Sequence, residues 1–327
     1  MQFIARLNSL LRRKQAQDFS ATRGRHFDYV APKRNYPGSN KRLYRVYVPP
    51  GCGPDRAAPL VMVLHGCQQT HLDIEAISRF DEVADRHHFI VVYPYVTRYF
   101  DIRARNCWGW WLRKHISPGS GEVEDLWQII EDVAASYNIN RRRIHIAGLS
   151  SGGAMAVAAL TVHVNRFASG AAVAGVAYGE RARAVVSPLF SDKREYTPVG
   201  ETAAQMRRVR NNNCNSTPLF IVHAEGDTKV QLQAAKNLRD VWVHYFGADK
   251  KLIKHTNYSE TLGTPWVHTR YSKLMGDSEV ETLFLQELGH GWYGGAPGAH
   301  SYTDAPPIAD MIWNFFRRHK RGLFEPG

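Results

Sequence analysis

What the chain lacks narrows its class. No apolar run among its 327 residues approaches the ~20 that a membrane-spanning helix needs, so no integral membrane association is expected. Cysteine is scarce. Cys52, Cys67, Cys107 and Cys214 are too few for a disulfide framework in a chain of this length, and none has the spacing of a zinc or redox motif. Neither a metal nor another cofactor is therefore expected. Acidic residues are in deficit, 30 Asp+Glu against 42 Lys+Arg, which leaves a formal net charge of +12. The excess gathers at residues 12–14, 141–143 and 317–321. No motif interleaves these charges with stacking aromatics, so the clusters read as solvated basic surface and nucleic acid is not an expected partner. Internal repeats and low-complexity tracts are absent. Near the N-terminus, Phe3, Ile4, Leu7, Leu10 and Leu11 share one helical face. Arg6 and Asn8 interrupt this apolar order and the basic cluster follows it, the reverse of a secretory leader. The expectation is a short amphipathic helix packed on the body and, by default, a cytoplasmic protein, with a secreted or periplasmic location as the alternative.

A hydrophobic content of 44% over this length suits one large α/β domain. Residues 1–38 read as a basic lead-in punctuated by Pro32, Pro37 and Gly38, and residues 39–322 as the domain. Residues 42–48 alternate as an outer strand does. Residues 60–64, 89–93, 171–176 and 219–223 are apolar runs typical of strands buried on both faces, and 267–271 and 280–285 read as the last strands. Helices are predicted at 80–88, 122–137, 231–246 and 306–319. Glu122, Glu124 and Asp125 suit the positive end of the second helix's dipole. This alternation predicts a mostly parallel, doubly wound sheet with helices on both faces. Residues 95–121 form a long irregular stretch, and 179–216 read as a cap or lid insertion.

The chain is organised around Ile144-His145-Ile146-Ala147-Gly148-Leu149-Ser150-Ser151-Gly152-Gly153-Ala154. It reads as a short strand, then Gly-x-Ser-x-Gly, then a helix of small residues. This is the layout of a nucleophile elbow, where a tight strand-to-helix turn lifts a serine hydroxyl above the sheet. Ser150 is the candidate nucleophile and the Ser151 amide a candidate oxyanion donor. Such a serine needs an orienting acid and a base, which follow it in that order in this architecture. Asp227 lies past a glycine turn after strand 219–223, where open α/β sheets bind ligands, with Glu225 as its rival. His290, between Gly289 and Gly291 after the last strand, is the candidate base, with His300 as its rival.

The second oxyanion donor is expected in Leu64-His65-Gly66-Cys67-Gln68-Gln69, directly after a buried strand. Gly66 lets the backbone approach the substrate, and the Cys67 amide is the candidate. Asn106-Cys107-Trp108-Gly109-Trp110-Trp111 is the densest aromatic cluster. Trp108, Trp110 and Trp111, with Trp292 and Tyr293 beside His290, are read as apolar walls of a substrate groove, at least one of the clustered tryptophans being packed in the core.

Taken together, Leu64-His65-Gly66-Cys67-x-Gln69, Asn106-Cys107-Trp108-x-Trp110, Ala147-Gly148-Leu149-Ser150-Ser151-Gly152-Gly153, Asp227-x-x-Val230 and Gly289-His290-x-Trp292-x-Gly294-Gly295 resemble the esterase family of poly(3-hydroxybutyrate) depolymerases. The resemblance implies an α/β-hydrolase acting on carboxylic esters, with Ser150, Asp227 and His290 as its triad. It pairs the Cys67 and Cys107 motifs in space, so a disulfide between them is predicted. The family also holds acetyl and feruloyl esterases, so the substrate stays open. A peptidase and a non-catalytic binding protein on a hydrolase scaffold are the alternatives. Secreted depolymerases carry a leader, a linker and a polymer-binding domain, none of which is read here. Soluble short-chain esters or hydroxyalkanoate oligomers are therefore expected ahead of crystalline polymer, with contact to a polymer surface left open. Residues 211–214 and 255–265 fit no pattern.

Overall fold

The computed structural model describes residues 23–96, 106–185, 194–213, 215, 217–247, 253–273 and 276–322. Its strands in chain order are β1 (Arg25–Ala31), β2 (Arg42–Val48), β3 (Ala58–Leu64), β4 (Ile90–Tyr95), β5 (Ile139–Leu149), β6 (Ser169–Val173), β7 (Leu219–Ala224), β8 (Ile253–Thr261), β9 (Thr264–Ser272), β10 (Ser278–Leu285), β11 (Trp292–Tyr293) and β12 (Ser301–Tyr302). The helices are α1 (His71–Ser78), α2 (Phe80–His87), α3 (Gly121–Ser136), α4 (Ser151–Val162), α5 (Val199–Val209), α6 (Leu232–Gly247) and α7 (Ile308–Phe316).

Alternation along the apolar runs sets the layers. In β3, Leu60, Met62 and Leu64 enter one core while Val61 and Val63 enter the other. In β7, Leu219 and Ile221 face the first core, and Phe220, Val222 and Ala224 the second. These runs are apolar throughout because helices cover both faces. Residues of α3, α4, α5 and α6 fill the first core, and those of α1, α2 and α7 the second. One ten-stranded sheet runs in the order β1-β2-β4-β3-β5-β6-β7-β10-β9-β8. The strands from β4 to β10 in that order pair in parallel, and antiparallel pairs flank them at both edges. The parallel, doubly wound expectation therefore describes the centre of the sheet.

Several expectations need correction. The lead-in contains β1, which pairs along its whole length with β2 and stacks Tyr29 on Tyr44 at 5.3 Å. The amphipathic helix expected over residues 3–11 lies outside the described residues. α1 was not expected, although Thr70 and Asp73 form a reciprocal capping box at its start. β8 overlaps the unassigned stretch 255–265 and joins β9 through Leu262 and Gly263, both in the left-handed region (φ 50° and 79°). Within the expected lid, α5 buries Ala203 and Met206, and Arg210 just beyond it donates to the Leu160 carbonyl near the C-terminus of α4. This part of the segment is a layer helix. Glu122 and Asp125, read only as suiting a helix dipole, are buried. Asp125 accepts from Tyr36 Oη (2.6 Å), Ser39 Oγ (2.9 Å), the Asn40 amide (3.2 Å) and Arg42 Nε (2.9 Å).

Candidate active site

β5 delivers Ser150 to the C-terminal edge of the sheet, and α4 begins at the next residue. Ser150 adopts φ 57°, ψ −117°, a conformation that costs an L-residue roughly 1–3 kcal/mol and persists only where the surroundings enforce it. Its amide donates to the Val173 carbonyl (2.8 Å), and its carbonyl accepts from the Ala154 amide (3.0 Å). The flanking glycines are dictated by contact. A Cβ on Gly148 would lie 2.3 Å from the Gly152 carbonyl carbon, and one on Gly152 would lie 2.5 Å from the Leu64 carbonyl oxygen. All of α4 is buried, and its small residues let it approach β5 and β6.

The candidate acid and base come from the loops after β7 and β10. Asp227 Oδ1 accepts the amides of Lys229 and Val230, both at 2.8 Å. Its Oδ2 lies 2.6 Å from His290 Nδ1. The Asp227 side chain is fully buried, while that of His290 is 14% exposed. A carboxylate oxygen only accepts, so Nδ1 carries a proton, and in the neutral ring this leaves Nε2 with the lone pair that a general base requires. His223 steadies the acid's loop. Its Nε2 donates to the Val230 carbonyl at 2.7 Å, and burial lowers its pKa. A Cβ on Gly226 would lie 2.7 Å from the Leu288 carbonyl, so the two loops touch. The rivals stand apart from this pairing: Glu225 and His300 are both exposed.

The loop after β3 reaches the serine. A Cβ on Gly66 would lie 3.5 Å from Ser150 Cβ. Cys67 is joined to Cys107 by a disulfide, as the resemblance implied. Asn106 donates through Nδ2 to the Gln69 carbonyl, and Gln69 Oε1 accepts the Gly66 amide at 2.8 Å. Beyond the bridge, the Gly109 amide donates to Glu122 Oε2 (2.7 Å), and Glu122 pairs with the buried Arg42 at 3.6 Å. The sequence suggested no role for Arg42 and only a favourable dipole position for Glu122 and Asp125. Their signal was three charged residues beside apolar runs, and nothing local says that they are buried.

Comparison with known proteins gives this geometry a family. A family model described as esterase PHB depolymerase matches residues 42–250. The chain belongs to that family. It is 28% identical over 254 residues to poly(3-hydroxyalkanoate) depolymerase C of Paucimonas lemoignei, covering 77% of this chain and 58% of that one. It is 30% identical over 158 residues to feruloyl esterase B of Neurospora crassa, covering 47% and 51%. The chain thus spans little more than half the length of these curated relatives. Among solved structures, the acetyl xylan esterase from Aspergillus awamori superposes with a TM-score of 0.66 at 17% identity, covering 89% of this chain and 99% of that one. The fold is that of the α/β-hydrolases.

Within this PHB-depolymerase-family fold, the aromatic expectation is corrected. Trp108, Trp292 and Tyr293 have no accessible surface and Trp110 only 7%. Trp111 alone is half-buried, edge-on to Trp110 at 5.4 Å. Trp292 packs on Phe80, and Tyr293 Oη donates to the Gly289 carbonyl at 2.9 Å beside His290. These rings brace the loops of the candidate site, because a loop this close to the sheet must bury its large side chains. One polar cluster could attract a cation, His26 with Glu75 and Asp81. His26 Nε2 lies 2.8 Å from Asp81 and 3.3 Å from Glu75, while Arg45 pairs with Glu75 and Tyr93 Oη donates to Asp81. These partners already satisfy it. No helix among the described residues is long and apolar enough to cross a membrane.

Proposed function

We propose that the chain is a serine carboxylic-ester hydrolase that works through an acyl-enzyme. The observation carrying this reading is the enforced conformation of Ser150 at φ 57°, ψ −117°. The Ser150 hydroxyl attacks the ester carbonyl as His290 Nε2 takes its proton. The negative charge moves to the carbonyl oxygen, which the amides of Cys67 and Ser151 receive. Collapse breaks the bond to the alcohol, which leaves with the proton from His290. Water then attacks the acyl-enzyme with His290 again as base, and the acid departs as Ser150 recovers its proton. Asp227 holds the imidazole tautomer and stabilises its cation.

Short-chain esters or hydroxyalkanoate oligomers are the proposed substrates, in keeping with the named depolymerase relative. An acetyl or feruloyl esterase acting on polysaccharide esters is the second reading, favoured by the feruloyl relative. The Cys67–Cys107 bridge fits an oxidising compartment, which favours the secreted or periplasmic alternative. The test compares turnover of p-nitrophenyl butyrate, a soluble 3-hydroxybutyrate dimer ester, methyl ferulate and an acetylated xylo-oligomer by wild type and Ser150→Ala. The proposal expects turnover that Ser150→Ala abolishes. Retention of more than a few per cent by that variant would place the nucleophile elsewhere. Preference for the ferulate or the xylo-oligomer over the dimer ester would select the second reading.

A further inference from the structure

The geometry points to His65 as a positioning residue that, together with Gln69, fixes the plane of the Gly66–Cys67 peptide and so aims the Cys67 amide at the oxyanion. This rests on the ester-hydrolase reading and deepens it. The Gly66 carbonyl accepts two hydrogen bonds, from His65 Nδ1 at 2.7 Å and from the Gln69 amide at 3.3 Å. The amide on the other side of Gly66 donates to Gln69 Oε1 at 2.8 Å. In a planar trans peptide the carbonyl and the following N–H point in opposite directions. Pinning the Gly66 carbonyl from two sides therefore pins the Cys67 N–H, which points away from the imidazole. The Cys67 side chain is bridged to Cys107, so this residue is constrained at its amide and at its sulfur.

The imidazole has one consistent assignment. A carbonyl only accepts, so Nδ1 carries the proton. The Val96 amide donates to Nε2 at 3.2 Å, so Nε2 is bare. The ring is fully buried, between Tyr95 at 5.5 Å and Trp108 at 5.4 Å. Burial pushes its pKa down to about 4, which keeps this neutral tautomer over the range where an esterase works. Burying an imidazole is unfavourable unless both nitrogens are satisfied, and here both bonds go to backbone. A hydrogen bond to the carbonyl also polarises the peptide and strengthens its N–H as a donor. Trp108, which the sequence suggested as a substrate wall, instead packs on the ring that orients the oxyanion loop.

The test uses His65→Leu, which removes the donor, and His65→Asn, whose Nδ2 stands where Nδ1 stood. Rates are expressed per active site titrated with a fluorophosphonate, so misfolded protein does not count. We expect His65→Leu to lower kcat about 10- to 100-fold with KM within about threefold, somewhat less than outright loss of an oxyanion donor, and His65→Asn to recover about tenfold of that loss. Affinity for a trifluoromethyl ketone should fall in parallel with kcat/KM across the series. In the resting protein the Cys67 amide resonance should move in His65→Leu and return toward its wild-type position in His65→Asn. Unchanged kcat per site in His65→Leu, or equal losses in both variants, would overturn the proposal. A wild type that turns over no ester would instead overturn the ester-hydrolase reading, and the Cys67 resonance would then decide the positioning claim alone.

Discussion

Gly66→Ala and Gly152→Ala add the same methyl group on either side of Ser150 and should fail in different ways. On Gly66 the methyl would meet Gln69 Oε1 at 3.0 Å, the Leu149 carbonyl at 3.5 Å and Ser150 Cβ at 3.5 Å. Gly66 is not in the left-handed region, so the backbone tolerates alanine. The one tight neighbour is the end of a side chain, which must yield by a few tenths of an ångström. The bond it makes to the Gly66 amide weakens, at about 1 kcal/mol of stability. The new methyl, however, occupies space beside the nucleophile and disturbs the Cys67 amide. Loss of one oxyanion donor costs kcat about 10²–10³. On Gly152 the methyl would lie 2.5 Å and 2.6 Å from the Leu64 and His65 carbonyl oxygens, both backbone. Relief requires α4 to part from β3, at about 3 kcal/mol or more. Urea unfolding followed by tryptophan fluorescence, with kcat per titrated site, separates the two. The reasoning is refuted if Gly66→Ala keeps wild-type kcat, or if Gly152→Ala unfolds at the wild-type midpoint.

Three further outcomes follow from the same contacts. Asp125→Ala leaves the Arg42 guanidinium, which is 1% exposed, facing Glu122 at 3.6 Å without its nearer carboxylate and takes the acceptor from Tyr36, Ser39 and Asn40, and should cost about 3 kcal/mol in urea unfolding; a loss below 1 kcal/mol would contradict the buried pair. Cys67→Ser with Cys107→Ser opens a link across a sequence separation of 40 and should lower stability by about 4 kcal/mol on loop entropy, with kcat per site falling as well; unchanged kcat would separate the bridge from the site. Burial lowers the pKa of His65 and His163 from the ordinary 6.5 to about 4, so the unfolded chain binds protons that the folded one refuses. Their contribution is present above pH 6.5 and lost as pH falls toward 4, about 3 kcal/mol each; stability that stays flat between pH 7 and 4.5 would refute this.

The elbow was legible because its signal is local: two glycines whose hydrogens touch neighbouring backbone, around a serine between a strand and a small-residue helix. The pairing of Asp227 with His290 followed from chain order and from each residue's place after a strand. α1 was readable from Thr70 and Asp73 but lacked a strong apolar period. β8 was not, since most of its side chains are exposed and its partner decides its conformation. The Arg42–Asp125 pair joins residues 83 apart, and no composition window reports that. The tryptophans misled for a related reason. An aromatic loop looks like a groove lining until the Cys67–Cys107 bridge and the Glu122 carboxylate show what draws it inward.

The most direct test of the central claim is covalent. The protein is incubated with a fluorophosphonate, digested, and mapped by tandem mass spectrometry. The account predicts a single adduct on Ser150, formed at a rate that collapses in His290→Ala and absent from Ser150→Ala. An adduct on another residue, with ester turnover retained by Ser150→Ala, would contradict it.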